Sequence, residues 1–136
     1  MGRGAKVARG ALTVMAVIVF TACGDATGPA GGARFELEVS GERFVVHVEG
    51  ASQIAALEAR MASGEEGVVN GDIRSGNGGF NAPWEWHMVP STVHTADVAI
   101  ELCDGRPSLV EADLEYWLGT VKQFCPWGAR VVRRIR

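Results

Sequence analysis

The chain has 136 residues, a formal charge of −3 and only three cysteines. That length allows one domain at most. The acidic balance leaves no electrostatic footprint for nucleic acid, so nucleic-acid binding is excluded.

Met1–Arg9 carries Arg3, Lys6 and Arg9 with no acid, and Ala11–Phe20 is apolar apart from Thr13. A charged segment followed by a short apolar run reads as a secretory signal. Ten helical residues reach only about 15 Å, half a bilayer core, so this is not a membrane span. The run ends in Phe20-Thr21-Ala22-Cys23-Gly24, which resembles a bacterial lipobox; Phe20 departs from the usual Leu, Val or Ile three positions before the cysteine. The expectation is a signal peptide over residues 1–22, lipidation of Cys23 and a membrane-anchored lipoprotein of the cell envelope, in the periplasm or at the cell surface. An ordinary cleaved signal, with Cys23 incidental, is the alternative. Each buried acyl methylene contributes about 0.8 kcal/mol, so several chains on Cys23 would hold the protein firmly on a membrane. Loss of residues 1–22 removes three positive charges and takes the formal charge from −3 to −6.

Residues 23–33 are the lipidated cysteine and a Gly-rich tether without periodicity, and residues 34–136 are a single domain. Arg34–Ser40 and Arg43–Glu49 alternate cleanly and predict a hairpin. A turn at Gly41-Glu42 pairs Val39 with Phe44, Leu37 with Val46 and Phe35 with Val48. His47 then falls on the wet face opposite Glu36. Ser52–Ser63 reads as a helix capped by Ser52, with Ile54, Leu57 and Met61 on one stripe and Gly64 as its stop. Val68–Arg74 is a third strand, in which Gly71 marks a bulge or a close backbone approach. Ser75–Pro83 is a glycine-rich loop holding Asn77, Phe80 and Asn81. It lacks the strand-to-helix context and GxxxxGK[ST] spacing of a phosphate cradle, so no nucleotide or other cofactor is expected.

Trp84–Met88 and His94–Leu102 predict a central hairpin around Pro90. Pairing Met88 with His94, Trp86 with Ala96 and Trp84 with Val98 gathers Trp84, Trp86, Met88, Ala96, Val98, Ile100 and Leu102 on one apolar face. The opposite face then carries Glu85, His87, Thr95, Asp97 and Glu101, with His87 opposite Thr95 and diagonal to Asp97. Three carboxylates and an imidazole together suit a hard cation or general acid–base work; alternating charge is equally the ordinary solvated side of an antiparallel sheet. No catalytic residue or metal ligand is assigned. Ser108-Leu109-Val110-Glu111 has the form of a capping box, Val110, Leu114 and Trp117 make a helical stripe, and Gly119 closes it. Ala129–Ile135 is a last strand, read as an edge guarded by Arg130, Arg133, Arg134 and Arg136. Trp127 is either an exposed binding aromatic or a core residue, and core packing is expected.

Once Cys23 is lipidated, Cys103 and Cys125 remain, and two cysteines in an exported chain most often form one disulfide. A metal pair or free thiols are weaker readings, because no CxxC spacing is present.

The order FxLxVxGxxFVVxV, an AxxxM helix, NxxWxWHxxPxxV, DxAIExCD and CPW is similar to the N-terminal domain family of the calmodulin-binding protein CmbB. The matching residues are Phe35, Leu37, Gly41 and Phe44; Asn81, Trp84, Trp86, His87 and Pro90; Asp97, Ala99, Ile100, Glu101, Cys103 and Asp104; and Cys125, Pro126 and Trp127. The resemblance implies one structural unit in a small exported bacterial protein, without an established activity. Calmodulin is not carried over as a partner: a calmodulin target is a long basic amphipathic helix, and both helices here are short.

The expected fold is α+β, a mostly antiparallel sheet of about six strands with two helices on one side, in the order β-β-α-β-β-β-α-β. The expected function is a non-catalytic binding module for an unidentified glycan or protein, contacting it through Asn77, Phe80, Asn81 and the polar face of the central hairpin. The alternative is a small hydrolase or metal-dependent enzyme using Glu85, His87, Asp97 and Glu101. No nucleophile motif supports that alternative. A third possibility is an inhibitor-like scaffold whose disulfide stiffens an exposed loop.

Overall fold

A computed structural model of the chain describes Gly2 and residues 32–136. The expected signal peptide, lipidated Cys23 and most of the tether lie outside the described residues. The domain is α+β. Its sheet has seven antiparallel strands in the order β2-β1-β7-β3-β4, with β5 and β6 also pairing β3. These are β1 (Ala33–Val39), β2 (Glu42–Val48), β3 (Glu66–Ser75), β4 (Trp86–Met88), β5 (His94–Ala96), β6 (Gln123–Phe124) and β7 (Ala129–Ile135). The helices are α1 (Ala51–Ser63), α2 (Pro107–Ala112) and the single turn α3 (Leu114–Tyr116). Among the described residues, no helix is long and apolar enough to cross a membrane.

The first hairpin forms with the expected inward face and a different turn. Val39 pairs with Glu42, Leu37 with Phe44 and Phe35 with Val46, so the turn is Ser40-Gly41. Both turn residues have positive φ, 51° and 79°. That is the backbone of a type I′ turn, whose twist suits a two-residue hairpin. The pairing shifts by two residues, and an even shift leaves every apolar side chain on its original face. Phe35, Leu37, Val39, Phe44, Val46 and Val48 are all buried. His47 consequently pairs with Arg34 rather than Glu36.

Helix α1 keeps its stripe: Leu57 is buried, and Ile54 and Met61 pack against the same core. Gly64 ends it in the left-handed conformation, returning its N–H to the Arg60 carbonyl. The start differs, because Gly50 is the N-cap and Ser52 makes no capping bond. The second helix, by contrast, is capped from outside itself. Pro107 occupies its first turn, and the Glu42 carboxylate of β2 accepts both the Ser108 N–H (2.8 Å) and hydroxyl (2.6 Å). Burial alone would raise the Glu42 pKa, but these bonds and Arg106 outweigh it and hold the carboxyl below its usual value. Glu111 makes no capping box; it accepts the Glu85 backbone N–H instead. Val110 and Trp117 are buried and Leu114 packs beside them as expected. The segment runs past Gly119 in a π-type turn, Trp117–Val121, and Lys122 closes it at φ 66°.

Strand β7 is central. It pairs with β1 along most of its length and with β3 at Ala129 and Arg130, so the expected edge strand is corrected. Arg130 and Arg133 lie on the outer face beside Glu38 (2.9 Å) and Glu36 (2.8 Å) of β1, whereas Arg134 pairs with Phe35 on the helix side of the sheet and meets Glu58 of α1. Arg43 of β2 reaches Glu36 and Glu38 from the other side. Arg130, Arg133 and Arg134 thus each face a glutamate.

Asn81 fastens the far edge of β2 to β4. Its side-chain oxygen accepts the Val45 N–H (2.7 Å), and its amide nitrogen donates to the Trp86 carbonyl (2.8 Å). The Trp84 indole N–H donates to the Arg43 carbonyl (2.8 Å), also on β2. The glycine-rich loop therefore covers an edge that would otherwise present unpaired backbone groups.

Candidate functional site

The central hairpin expected from sequence does not form. Met88, His87 and Trp86 pair with Ile73, Arg74 and Ser75, while His94, Thr95 and Ala96 pair with Asn70, Val69 and Val68. β4 and β5 are two pieces of one interrupted strand laid along β3, joined by a 3-10 turn at Pro90–Thr92. Bonds from Val89 N–H to the Asp72 carbonyl and from Asp72 N–H to the Thr92 hydroxyl carry the chain across the gap. The alternation of each piece is legible in sequence, but alternation alone does not say which strand is the partner. Here the ten-residue β3 serves both.

This topology disperses the proposed polar face. His87 pairs with Arg74 and Ala96 with Val68, six positions apart along β3, which is about 20 Å at a strand's rise per residue. Asp97 lies one residue beyond Ala96, and Glu101 sits in a 3-10 turn, Glu101–Cys103. Thr95 stands opposite the buried Val69. Glu85 is exposed beside α2. Among the described residues, no three His, Cys, Asp or Glu side chains gather where a metal ion would fit.

Trp86 is fully buried and stacks edge-on against Phe124, as its inward placement required, whereas Trp84 is half-buried at the closure of β2. His87 points outward and its Nδ1 lies 2.6 Å from the Gly76 carbonyl. Phe80 is set edge-on between His47 and His87, with the Arg34 guanidinium 5.8 Å from its ring centre. The Asn77 side-chain oxygen accepts the Gly79 N–H. Of the loop candidates, Asn81 is buried with both ends of its amide engaged, so its role is to hold the fold.

A concave surface lies elsewhere, where the β3–β5 ladder opens. Beyond the Val68–Ala96 pair the two backbones part and leave a cleft of about 520 Å³. Gly67 and Val68 line it together with Asp97, Val98 and Ala99, and Trp127, Glu65 and Glu66 border it. Arg60 from α1 stands at the point of divergence, donating to the carbonyls of Val68 (2.7 Å) and Ala96 (3.1 Å). A side chain on Gly67 would meet that guanidinium at 2.9 Å, so the glycine leaves Arg60 its place.

The ridge beside this cleft is apolar and open to solvent. Val98 is 83% exposed, Ile100 63%, Leu102 51% and Trp127 42%. The expected apolar face of His94–Leu102 thus does not reach the main core. Ala96 and Ala99 pack instead on a second small cluster made by Val68 and the Cys103–Cys125 disulfide. Trp127 is likewise corrected from core to surface; its backbone N–H is held by the Asp104 carboxylate (2.9 Å). The ridge is pinned at both ends, by the ladder and Arg60 before it and by the buried disulfide after it.

The disulfide, the Asn81 closure and the Trp86 core are placed by the residues that define the sequence motif, and the family model of the BP-74 N-terminal domain, the CmbB family resembled in sequence, matches residues 32–136. The chain belongs to that family. No curated protein and no solved structure matches it. In this member of the family, the residues that sequence reasoning missed are Arg60, Glu65 and Glu66. Their only signal was a helix face and a pair of acids, common to many surfaces. Val98, Ile100 and Leu102 were singled out by alternation but assigned to the interior.

Proposed function

We propose that this protein is a non-catalytic binding module of the cell envelope, tethered by lipid on Cys23, and that its ligand is a protein docking on the Val98–Leu102 ridge and the adjoining cleft. The observation that carries this reading is the concentration of exposed Val98, Ile100 and Leu102 on one pinned segment, with exposed Trp127 bordering the cleft beside it. Monomeric proteins scatter exposed apolar residues singly, and contiguous ones mark interaction surfaces. A segment already fixed at both ends loses little conformational freedom on binding, which favours affinity. The N-terminal charged and apolar segments supply the export reading, and Cys23 at their junction supplies the anchor.

The test is site-specific photocross-linking of the full chain in its own envelope. A photoreactive residue at position 98 is expected to give a discrete protein adduct, and one at position 133, on the arginine face, none. An equal smear at both positions, or no adduct at 98, refutes the docking face. A protease as the adduct would make the segment inhibitor-like. Metabolic labelling with palmitate tests the anchor: label is expected on the parent and absent from Cys23→Ser, and an unlabelled parent overturns lipidation.

A further inference from the structure

The charge around the ridge narrows the class of partner. Glu36, Glu38, Glu42 and Glu58 each meet an arginine. Glu66, Asp97 and Glu101 make no ion pair among the described residues. The cleft also holds Glu65, and the one cation that lines it is Arg60, whose guanidinium is committed to two backbone carbonyls. The surround is therefore net negative. Trp127 offers an exposed indole among these carboxylates, and an aromatic face beside acids receives a cationic side chain well.

The backbone adds direction. From Val98 to Ile100 no main-chain N–H finds an acceptor among the described residues, and Ile100 is extended (φ −78°, ψ 146°). The chain bends at Asp97, after β5, and the unpaired backbone that follows is a template for one more strand, with main-chain bonds giving affinity and side-chain pockets giving selectivity.

We infer that the cleft and ridge receive an extended cationic–apolar segment of a partner protein, a Lys or Arg side chain entering beside Trp127, Glu66 and Asp97 while the partner backbone pairs along Val98–Ile100. This rests on the docking face proposed above and specifies its ligand. A lipid surface would use the same exposed apolar residues, but the uncompensated carboxylates disfavour the anionic headgroups of bacterial membranes.

The probe is an acetylated, amidated heptapeptide alternating lysine with valine, titrated against the full chain in detergent micelles and followed by anisotropy of a label on the peptide. Glutamate–valine and serine–valine peptides are the controls, and an N-methylated lysine–valine peptide reports on backbone pairing. The lysine peptide is expected to bind at least tenfold more tightly than either control. Its affinity should fall at least tenfold in Glu66→Gln/Asp97→Asn and in Trp127→Ala, remain unchanged in Arg133→Ala, and weaken as salt is raised. N-methylation should cost about as much as the acidic substitutions. Equal binding of the three peptides, or full affinity in the double variant, overturns the cationic class. Full affinity of the N-methylated peptide overturns strand pairing. Co-sedimentation with phosphatidylglycerol vesicles that is lost in Val98→Ser, with no peptide binding, transfers the face to membrane. A discrete cross-link at position 98 with no lysine-peptide binding rejects this inference while leaving the docking face standing.

Discussion

Replacing Asn81 by alanine tests the closure of the sheet directly. The side chain is 1% exposed and joins the Val45 N–H on β2 to the Trp86 carbonyl on β4. Alanine removes both partners at once and leaves one donor and one acceptor without hydrogen bonds, each costing about 1–3 kcal/mol. The backbone bonds of Asn81 to Asn77 and Trp84 survive the change, so the loop itself need not unravel. The expected loss is about 3 kcal/mol, a large share of a typical domain's 5–15 kcal/mol, and a fall in Tm of roughly 15 °C. The assay is urea unfolding of the Cys23→Ser chain followed by tryptophan emission, with amide exchange at Val45 as the local readout. Asn81→Asp separates donor from acceptor: the carboxylate still accepts from Val45 but cannot donate to Trp86. Its deficit relative to the parent should shrink in acid, where the protonated carboxyl donates again. A loss under 1 kcal/mol for alanine, or unchanged exchange at Val45, would refute the bridging role.

Further outcomes follow from the fold. Joint replacement of Cys103 and Cys125 by serine should cost about 3 kcal/mol, the loop-closure value for a separation of 22 residues, and reductant should lower the parent's Tm to match. Gly71→Ala would set a methyl 3.0 Å from the Met88 sulfur and 3.2 Å from its Cβ and Cγ. We expect a loss of about 1–3 kcal/mol in denaturant unfolding, as for overpacking; neutrality would mean that Met88 moves freely. The hydrogen bond from Arg133, outweighing a smaller opposing effect of burial, holds Glu36 below the ordinary glutamate value of 4.5. The folded carboxyl thus releases its proton more readily than the unfolded one. This contribution is full above about 4.5 and is lost as pH falls through the lower, folded value. Unfolding free energy measured from pH 6 down to 2 should decline less steeply in Glu36→Gln, and an unchanged slope would dismiss the pair.

What the sequence by itself determined was local. The 2.0 and 3.6 periodicities located the first hairpin, α1, β3 and β7, because they record which face each element buries. Gly64 stopped α1 where expected, and the expectation of an exported chain made a Cys103–Cys125 pairing the natural reading. Even the misplaced hairpin turn left the core intact, since the error was an even number of residues. Tertiary structure alone decided which strands are neighbours. Trp86-His87-Met88 and His94-Thr95-Ala96 alternate identically whether they pair with each other or lie end to end along β3, so sequence placed His87 beside Asp97, whereas the fold puts His87 and Ala96 opposite positions about 20 Å apart on β3, with Asp97 beyond Ala96. The exposure of Val98, Ile100 and Leu102 was hidden for the same reason. Apolar alternation shows that a strand has a face to cover, and only the path of the rest of the chain decides whether this molecule covers it or leaves it for another.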